Sequence, residues 1–286
     1  MNRKVVLAVA ANELKQVVRS RDYLLPLGAL GLLFFFFVPV LLLGAVTNVT
    51  GNEAAEAVGA VINTLPDTAQ QNIQGETEGV RASYAVAVYL LAPIAIVVPL
   101  TISTAVGATA VVGEREKGTG EFLAHTPASE RDIYVGKLIA SLIPGYVATI
   151  VGFSLYSVVV NVIVGPGVGG WFFPTSDWFI LILWVVPPFI AVALSIIVAI
   201  SARVKTAAAA QQASQLVTLP VILSAYGVAT GLLFNSSLAA IVIGALAWVA
   251  ALIGLTPVSY THLRAHETER TIAYADNCKK RRGGGG

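Results

Sequence analysis

Of 286 residues, 56% are apolar and only 12% are charged, against roughly 45–50% and 25% in a soluble domain; this excludes a soluble globular fold, and the low charge excludes a disordered chain as well. The net charge of +2 discriminates little, while a single Cys leaves no internal disulfide and no Cys-based metal site. Charged residues gather in short segments between long uncharged runs, the pattern of an all-α polytopic membrane protein whose spans each need about 20 apolar residues.

Residues 1–22 are expected to form a cytoplasmic amphipathic helix. Val6, Ala10, Leu14, Val17 and Val18 recur at helical spacing, while Arg3, Lys4, Glu13, Lys15 and Arg19 take the other side. Such a helix lies in the headgroup plane with its apolar stripe toward lipid; a plain helical lead-in to the first span is the alternative. Beyond it, uncharged runs long enough to cross about 30 Å of hydrocarbon place six transmembrane helices near 23–46, 84–112, 138–164, 178–201, 213–234 and 238–256, one domain over 23–257.

Between the first two spans, Thr47 to Ser83 mixes small, acidic and amide residues, so that a short helix or two is expected and a folded domain is not. The second span contains Pro93 and Pro99, the third Pro144, the fourth Pro187 and Pro188, and the fifth Pro220. Such helices kink, and the freed carbonyls need donors. Thr101, Ser103, Thr104, Ser141, Thr149, Ser154, Asn161, Gln215, Thr218 and Ser224 are the candidates, either as interhelical bonds or as the lining of a polar conduit. Ser103 with Gly107, and Gly227 with Gly231, permit close helix approach.

The segment between spans two and three is the most informative. Asp/Glu and Lys/Arg alternate through Gly113-Glu114-Arg115-Glu116-Lys117, Gly118-Thr119-Gly120 breaks the run, and Glu121-Phe122-Leu123 precedes Thr126-Pro127. That describes a helix end, a turn and a short second helix whose Phe122 and Leu123 need a partner. Ser129-Glu130-Arg131-Asp132 reads as the N-cap and first turn of the third helix, with acids at its positive end. The whole stretch to Gly136-Lys137 resembles the E-x-E-x-G-T-x-E-x-L-x-x-T-P-x-S … G-K signature of ABC-2 type permeases, the membrane subunits of ATP-binding-cassette exporters. Gly120, where that family usually has Leu, is a departure.

The resemblance implies a transmembrane permease subunit that forms a translocation path and is driven by a separate ABC ATPase subunit. It implies a permease homodimer or heterodimer in membrane lipid, without a cofactor and without a nucleic-acid partner. On the same ground Glu114, Glu116, Gly118, Thr119, Glu121, Phe122, Leu123, Thr126 and Pro127 form an ATPase-coupling loop, with Phe122 and Leu123 seated in a groove on the ATPase and the charges at its rim. A membrane anchor or assembly protein without transport activity is the alternative.

The rest of the chain offers no competing chemistry. Gly113 to Thr119 ends Lys-Gly-Thr and Gly136-Lys137 is followed by Leu138, so no Walker A loop is present. The six spans carry no Asp, Glu, Lys, Arg or His, the groups on which proton and ion relays depend. His125 stands alone in its loop. No enzymatic activity is expected.

Orientation follows from the cations. Arg3, Lys4, Lys15, Arg19, Arg21, Arg115, Lys117, Arg131, Lys137, Arg203 and Lys205 fall on one side and Arg81 alone on the other, so the positive-inside rule puts the N-terminus in the cytoplasm of a plasma-membrane protein. Asn48-Val49-Thr50 and Asn235-Ser236-Ser237, two glycan-acceptor triplets, then lie outside. Finally, Val258 to Thr268 resembles a translated sequencing adapter, and residues 258–286 are expected to be a non-native tail. Its His262, His266, Cys278 and Lys279–Arg282 carry no functional expectation, and an end at the sixth span would leave out the family's short charged tail.

Overall fold

Helices account for every regular element among the described residues of the computed structural model, which are 2–48, 59–60, 62–63, 65–110, 112–113, 129–201, 203–204, 206–234 and 237–255. The chain begins with α1 (Arg3–Arg19), capped by the Asn2 side chain, which accepts from the Lys4 amide at 3.1 Å. After Ser20 the first span runs as α2 (Arg21–Leu32), a π turn (Leu33–Phe37) and α3 (Val38–Thr47). Short α4 (Asp67–Gln71) precedes the second span, built from α5 (Glu78–Ala85), a second π turn (Val86–Leu90) and α6 (Ile94–Thr109).

The third span is α7 (Glu130–Ile163), followed by a single turn, α8 (Gly165–Val168). Then come α9 (Ser176–Ile180), a third π turn (Leu181–Val185) and α10 (Val186–Ser201), which together make the fourth span. The chain continues with α11 (Ala207–Phe234) and α12 (Ser237–Leu255).

Among the described residues, five helical stretches are long and apolar enough to cross a membrane: Leu24–Thr47, Glu78–Thr109, Arg131–Ile163, Ser176–Ser201 and Ala207–Gly231. They match the first five expected spans, with earlier starts for the second to the fifth. The apolar part of α12, Ile241–Gly254, is shorter. At 1.5 Å per residue the 34 residues of α7 reach about 50 Å. That exceeds the hydrocarbon thickness, so its first turns, with Asp132 and Lys137, belong to the polar end of the molecule.

The second span is central. α6 packs on α7, α10 and α11, and α10 packs in turn on α11 and α12. Small residues permit the closest approach. A Cβ on Gly145 of α7 would fall on the Ser103 hydroxyl and 2.8 Å from the Pro99 carbonyl oxygen of α6; one on Gly107 would lie 2.6 Å from Leu194 of α10. The expectation that Ser103 and Gly107 mark a close contact is met. Gly227 and Gly231 face open space instead. The first span seats on α7 through Phe35, whose ring covers Gly152 and which is 2% exposed.

At the end of the bundle away from α1, aromatic side chains repair the backbone that the second π turn opens. The Val88 carbonyl would need its donor five residues on, at Pro93, which has no N–H. The Trp178 indole N–H donates to it at 3.0 Å, and the Tyr156 hydroxyl donates to the neighbouring Ala87 carbonyl at 2.6 Å. In hydrocarbon such satisfaction is obligatory. Phe173 packs on both rings, and Phe153 packs on Trp178 and Phe173.

Beside them Asn161 completes the corner between α7 and α9. Its Oδ1 accepts from the Phe172 and Phe173 amides at 2.9 and 3.0 Å, and its Nδ2 donates to the Phe173 carbonyl at 2.6 Å. Asn161→Ala orphans the Phe172 and Phe173 amides, while the Phe173 carbonyl keeps the Ser157 hydroxyl as a donor at 3.2 Å; at about 1–3 kcal/mol for an unsatisfied buried group, a loss of about 2 kcal/mol or more is expected in reversible unfolding in mixed micelles. A change under about 0.5 kcal/mol, the range of ordinary surface substitutions, would show that water replaces the amide.

Candidate functional site

The nine residues expected to form the loop site, Glu114, Glu116, Gly118, Thr119, Glu121, Phe122, Leu123, Thr126 and Pro127, lie outside the described residues, as do Arg115, Lys117 and His125. What the structure describes is how both ends of that loop are held. Ser129 caps α7 as its residue type implies: its Oγ accepts from the Asp132 amide at 3.2 Å. Asp132, 4% exposed, accepts from the Asn2 amide at 3.1 Å through Oδ1 and so ties the start of α1 to the first turn of α7.

One turn further on, a Cβ on Gly136 would stand 2.8 Å from the Val9 side chain and 3.1 Å from the Val6 carbonyl oxygen. Glycine at 136 is what lets α1 lie directly against α7.

The other loop end is the C-terminus of α6, where unpaired carbonyls accumulate. The Ser201 hydroxyl, from the end of α10, donates to the Ala108 carbonyl at 2.7 Å and accepts from the Val112 amide at 3.2 Å. The Lys137 ammonium, from α7, donates to the Ala110 carbonyl at 2.6 Å and pairs with Glu13 of α1 at 3.0 Å. A cation at a helix C-terminus also meets the negative end of the helix dipole. Lys137 is 3% exposed. In such burial the desolvation of both charges offsets much of their attraction, while losing one partner typically costs about 3–5 kcal/mol. The arrangement therefore holds elements in register more than it adds net stability.

These contacts alter the reading of the N-terminal helix. Val6 and Ala10, expected to face lipid, are each 4% exposed because α7 covers them. Glu13, assigned to the polar side, turns to Lys137. The large apolar side chains that α1 leaves exposed are Leu7 and Val18.

The hydroxyl residues of the spans mostly do not meet one another. Ser141, Thr149, Ser195 and Thr218 donate to the carbonyl four residues back in their own helices, as does Thr101. Ser154 does the same. Neither of the two expected roles describes them. They occupy their own helix backbone, and Thr149 and Ser141 are buried in the packing of α7.

A groove of ≈ 360 Å³ opens between α7 and α9 with its π turn, lined by Ile150, Phe153, Ser154, Ser157, Pro174, Phe179, Ile182 and Leu183. It holds no titratable group. Among the described residues no three His, Cys, Asp or Glu side chains converge on a point where a metal would sit.

Lys137, Glu13, Asp132 and Ser201 were not singled out as site residues from the sequence. A signal existed for the first pair: Glu13 is the sole acid in residues 1–21, and Lys137 the last charge before a long uncharged run. Nothing local indicated that the two would meet.

A family model described as ABC-2 family transporter protein matches residues 7–271. The match takes in α1 from Leu7 onward, every candidate span, the segment between the second and third spans, and part of the segment beyond Pro257 that resembles adapter sequence. No curated protein matches the chain. The sequence signature at 113–137, the all-helical membrane architecture and a match over most of the chain agree: this chain belongs to the ABC-2 family of transporter proteins, as one of their multi-pass membrane components.

Proposed function

We propose that the chain is the permease subunit of an ABC-type exporter in the plasma membrane, that residues 113–137 lie in the cytoplasm, and that a separate ATP-binding subunit docks there. The observation that carries this reading is the segment itself: charges around Phe122 and Leu123, without a nucleotide-binding loop of its own, joining α6 and α7. Those two helices pack along each other in the middle of the bundle. A push on the loop therefore reaches the best-buried span directly, and the burial of Ser201 and Lys137 at the loop's roots keeps the push from being absorbed there.

The path forms between two copies, as homodimer or heterodimer, and not within one. Two facts support this. The interior hydroxyls are spent on their own helices, and α11 turns Gln212, Gln215 and Tyr226 outward. Amides in a span are costly against hydrocarbon and are found facing protein or water. α12 serves as a sixth span, and Leu7 and Val18, with Lys4 and Lys15, place the outer face of α1 on the headgroups.

Cysteine labelling tests the topology. In a Cys278→Ser chain, single cysteines at Gly51 and Gly169 should react with a membrane-impermeant thiol reagent in intact cells, and one at Thr119 only after permeabilisation. Reaction at Thr119 in intact cells would overturn the orientation and the docking site together. The same labels in a chain ending at Pro257 test the tail: unchanged insertion is expected, and its loss would place 258–271 within the membrane domain.

A further inference from the structure

We propose that Lys137 is a positioning residue that clamps three elements, the N-terminal helix α1, the last turn of α6 and the start of α7, into one body, so that displacement at the loop 114–128 is passed to α1 as well as to the two spans. The proposal rests on the reading of that loop as the ATPase-docking segment.

An ammonium has three donors and no acceptor, and here two of its directions go to different elements: Glu13 Oε1 on α1 at 3.0 Å and the Ala110 carbonyl at the end of α6 at 2.6 Å. The side chain that makes both contacts grows from α7, so a single residue carries all three attachments. It is nearly sealed from water, at 3% exposure. Two neighbouring features keep α1 in place beside it. The Asn2 amide reaches Asp132 Oδ1 at 3.1 Å, and Gly136 lets Val6 and Val9 come close enough that a Cβ would collide. The contacts follow the same order along both helices, Asn2 to Asp132, Val9 to Gly136, Glu13 to Lys137.

An apolar side chain at 137 would fill the space but leave the Glu13 carboxylate without its cation. What it would not do is choose one orientation of α1 relative to the end of α6, because apolar contact is non-directional whereas a buried ammonium left without its acceptors is penalised. A lysine here serves register. It also stands between the loop and the membrane domain, at the point where motion of one must become motion of the other.

The two partners can be separated experimentally. In the full-length Cys278→Ser chain, reconstituted in vesicles, a nitroxide is placed at Leu7→Cys on the exposed side of α1 or at Gly113→Cys at the root of the loop. Lys137→Met should raise the mobile fraction at both positions, by roughly tenfold or more. Glu13→Gln should raise it at Leu7 only, because Lys137 still holds the Ala110 carbonyl. Unchanged spectra at either position with Lys137→Met overturn the clamp. If that variant does not insert, Glu13→Gln decides: loosening at Leu7 with Gly113 held supports the clamp, and any other pattern overturns it.

Transmission is read separately, as the rise in ATP hydrolysis that the chain induces in its ATP-binding subunit. Lys137→Met should retain pull-down of that subunit and lose about tenfold of the induced rise, whereas a variant defective in docking loses pull-down itself. An induced rise at the unsubstituted level would overturn transmission through Lys137. If the unsubstituted chain binds no ATP-binding subunit, the docking reading fails and the spectra alone decide the clamp.

Discussion

Phe122→Asp or Leu123→Asp should abolish capture of the ATP-binding subunit by the detergent-solubilised chain while leaving membrane insertion intact. If these side chains fill an apolar pocket on the partner, a carboxylate there must be desolvated without a counter-charge, which costs several kcal/mol. Each 1.4 kcal/mol is a factor of ten in affinity, so docking should weaken by about a hundredfold or more. Insertion is spared because positions 114–128 lie between the second and third spans and outside both. Lys117→Ala, at the proposed rim, should shift association only modestly and in a salt-dependent way. Pull-down and vesicle ATPase rates read both effects. Unchanged capture and unchanged rates in the Asp variants would remove residues 121–123 from the docking surface and leave α1 as the next candidate.

Gly145→Ala should destabilise the bundle more than any other single methyl added at a glycine of the third span's interface with α6. The new Cβ would stand 2.8 Å from the Pro99 carbonyl oxygen and 2.9 Å from Ser103 Cβ, besides striking the Ser103 hydroxyl. A hydroxyl rotates away; a carbonyl and a Cβ fixed in α6 do not. Overpacking of a tight interface costs about 1–3 kcal/mol, and Gly145→Leu should exceed that and prevent assembly. Gly28, Gly31 and Gly227 have nothing within 4 Å of an added Cβ, so Ala at those positions should be neutral or stabilising by up to about 1 kcal/mol, the helix-propensity gain. Unfolding in mixed micelles checks the series. Equal effects at Gly145 and Gly28 would mean that α6 and α7 do not approach as described.

Much of the fold was legible because hydrocarbon imposes one rule, a long uncharged helix, and five such runs appear where that rule puts them. The N-cap at Ser129 was legible for a local reason, a hydroxyl followed by acids. The π turns were not, since nothing in Leu33–Phe37, Val86–Leu90 or Leu181–Val185 departs from an ordinary apolar helix. Their consequence, Trp178 and Tyr156 donating to Val88 and Ala87, joins residues about 70 to 90 apart in sequence. Trp178 itself is 1% exposed, buried among the residues it joins.

Periodicity showed that α1 has an apolar stripe but could not show what covers it. Val6 and Ala10 face α7 and not lipid, because Gly136 clears the space. The hydroxyls of the spans were open to two readings from sequence, interhelical bonds or the lining of a polar conduit. The nearer acceptor, the carbonyl one turn back, takes most of them. Of the site, the loop motif was visible in full, while the clamp at its roots was not, since Glu13, Ala110 and Lys137 meet only in the folded chain.

The measurement that bears most directly on the permease reading is ATP hydrolysis by an ABC-type ATP-binding subunit encoded on the same source DNA, assayed in vesicles with and without this chain. The account predicts that the subunit co-purifies with the chain, that its hydrolysis rate rises when the chain is present, and that Phe122→Asp abolishes both. A subunit that neither binds the chain nor changes its rate, with the chain inserted in the same vesicles, would contradict it and favour an anchor without transport activity.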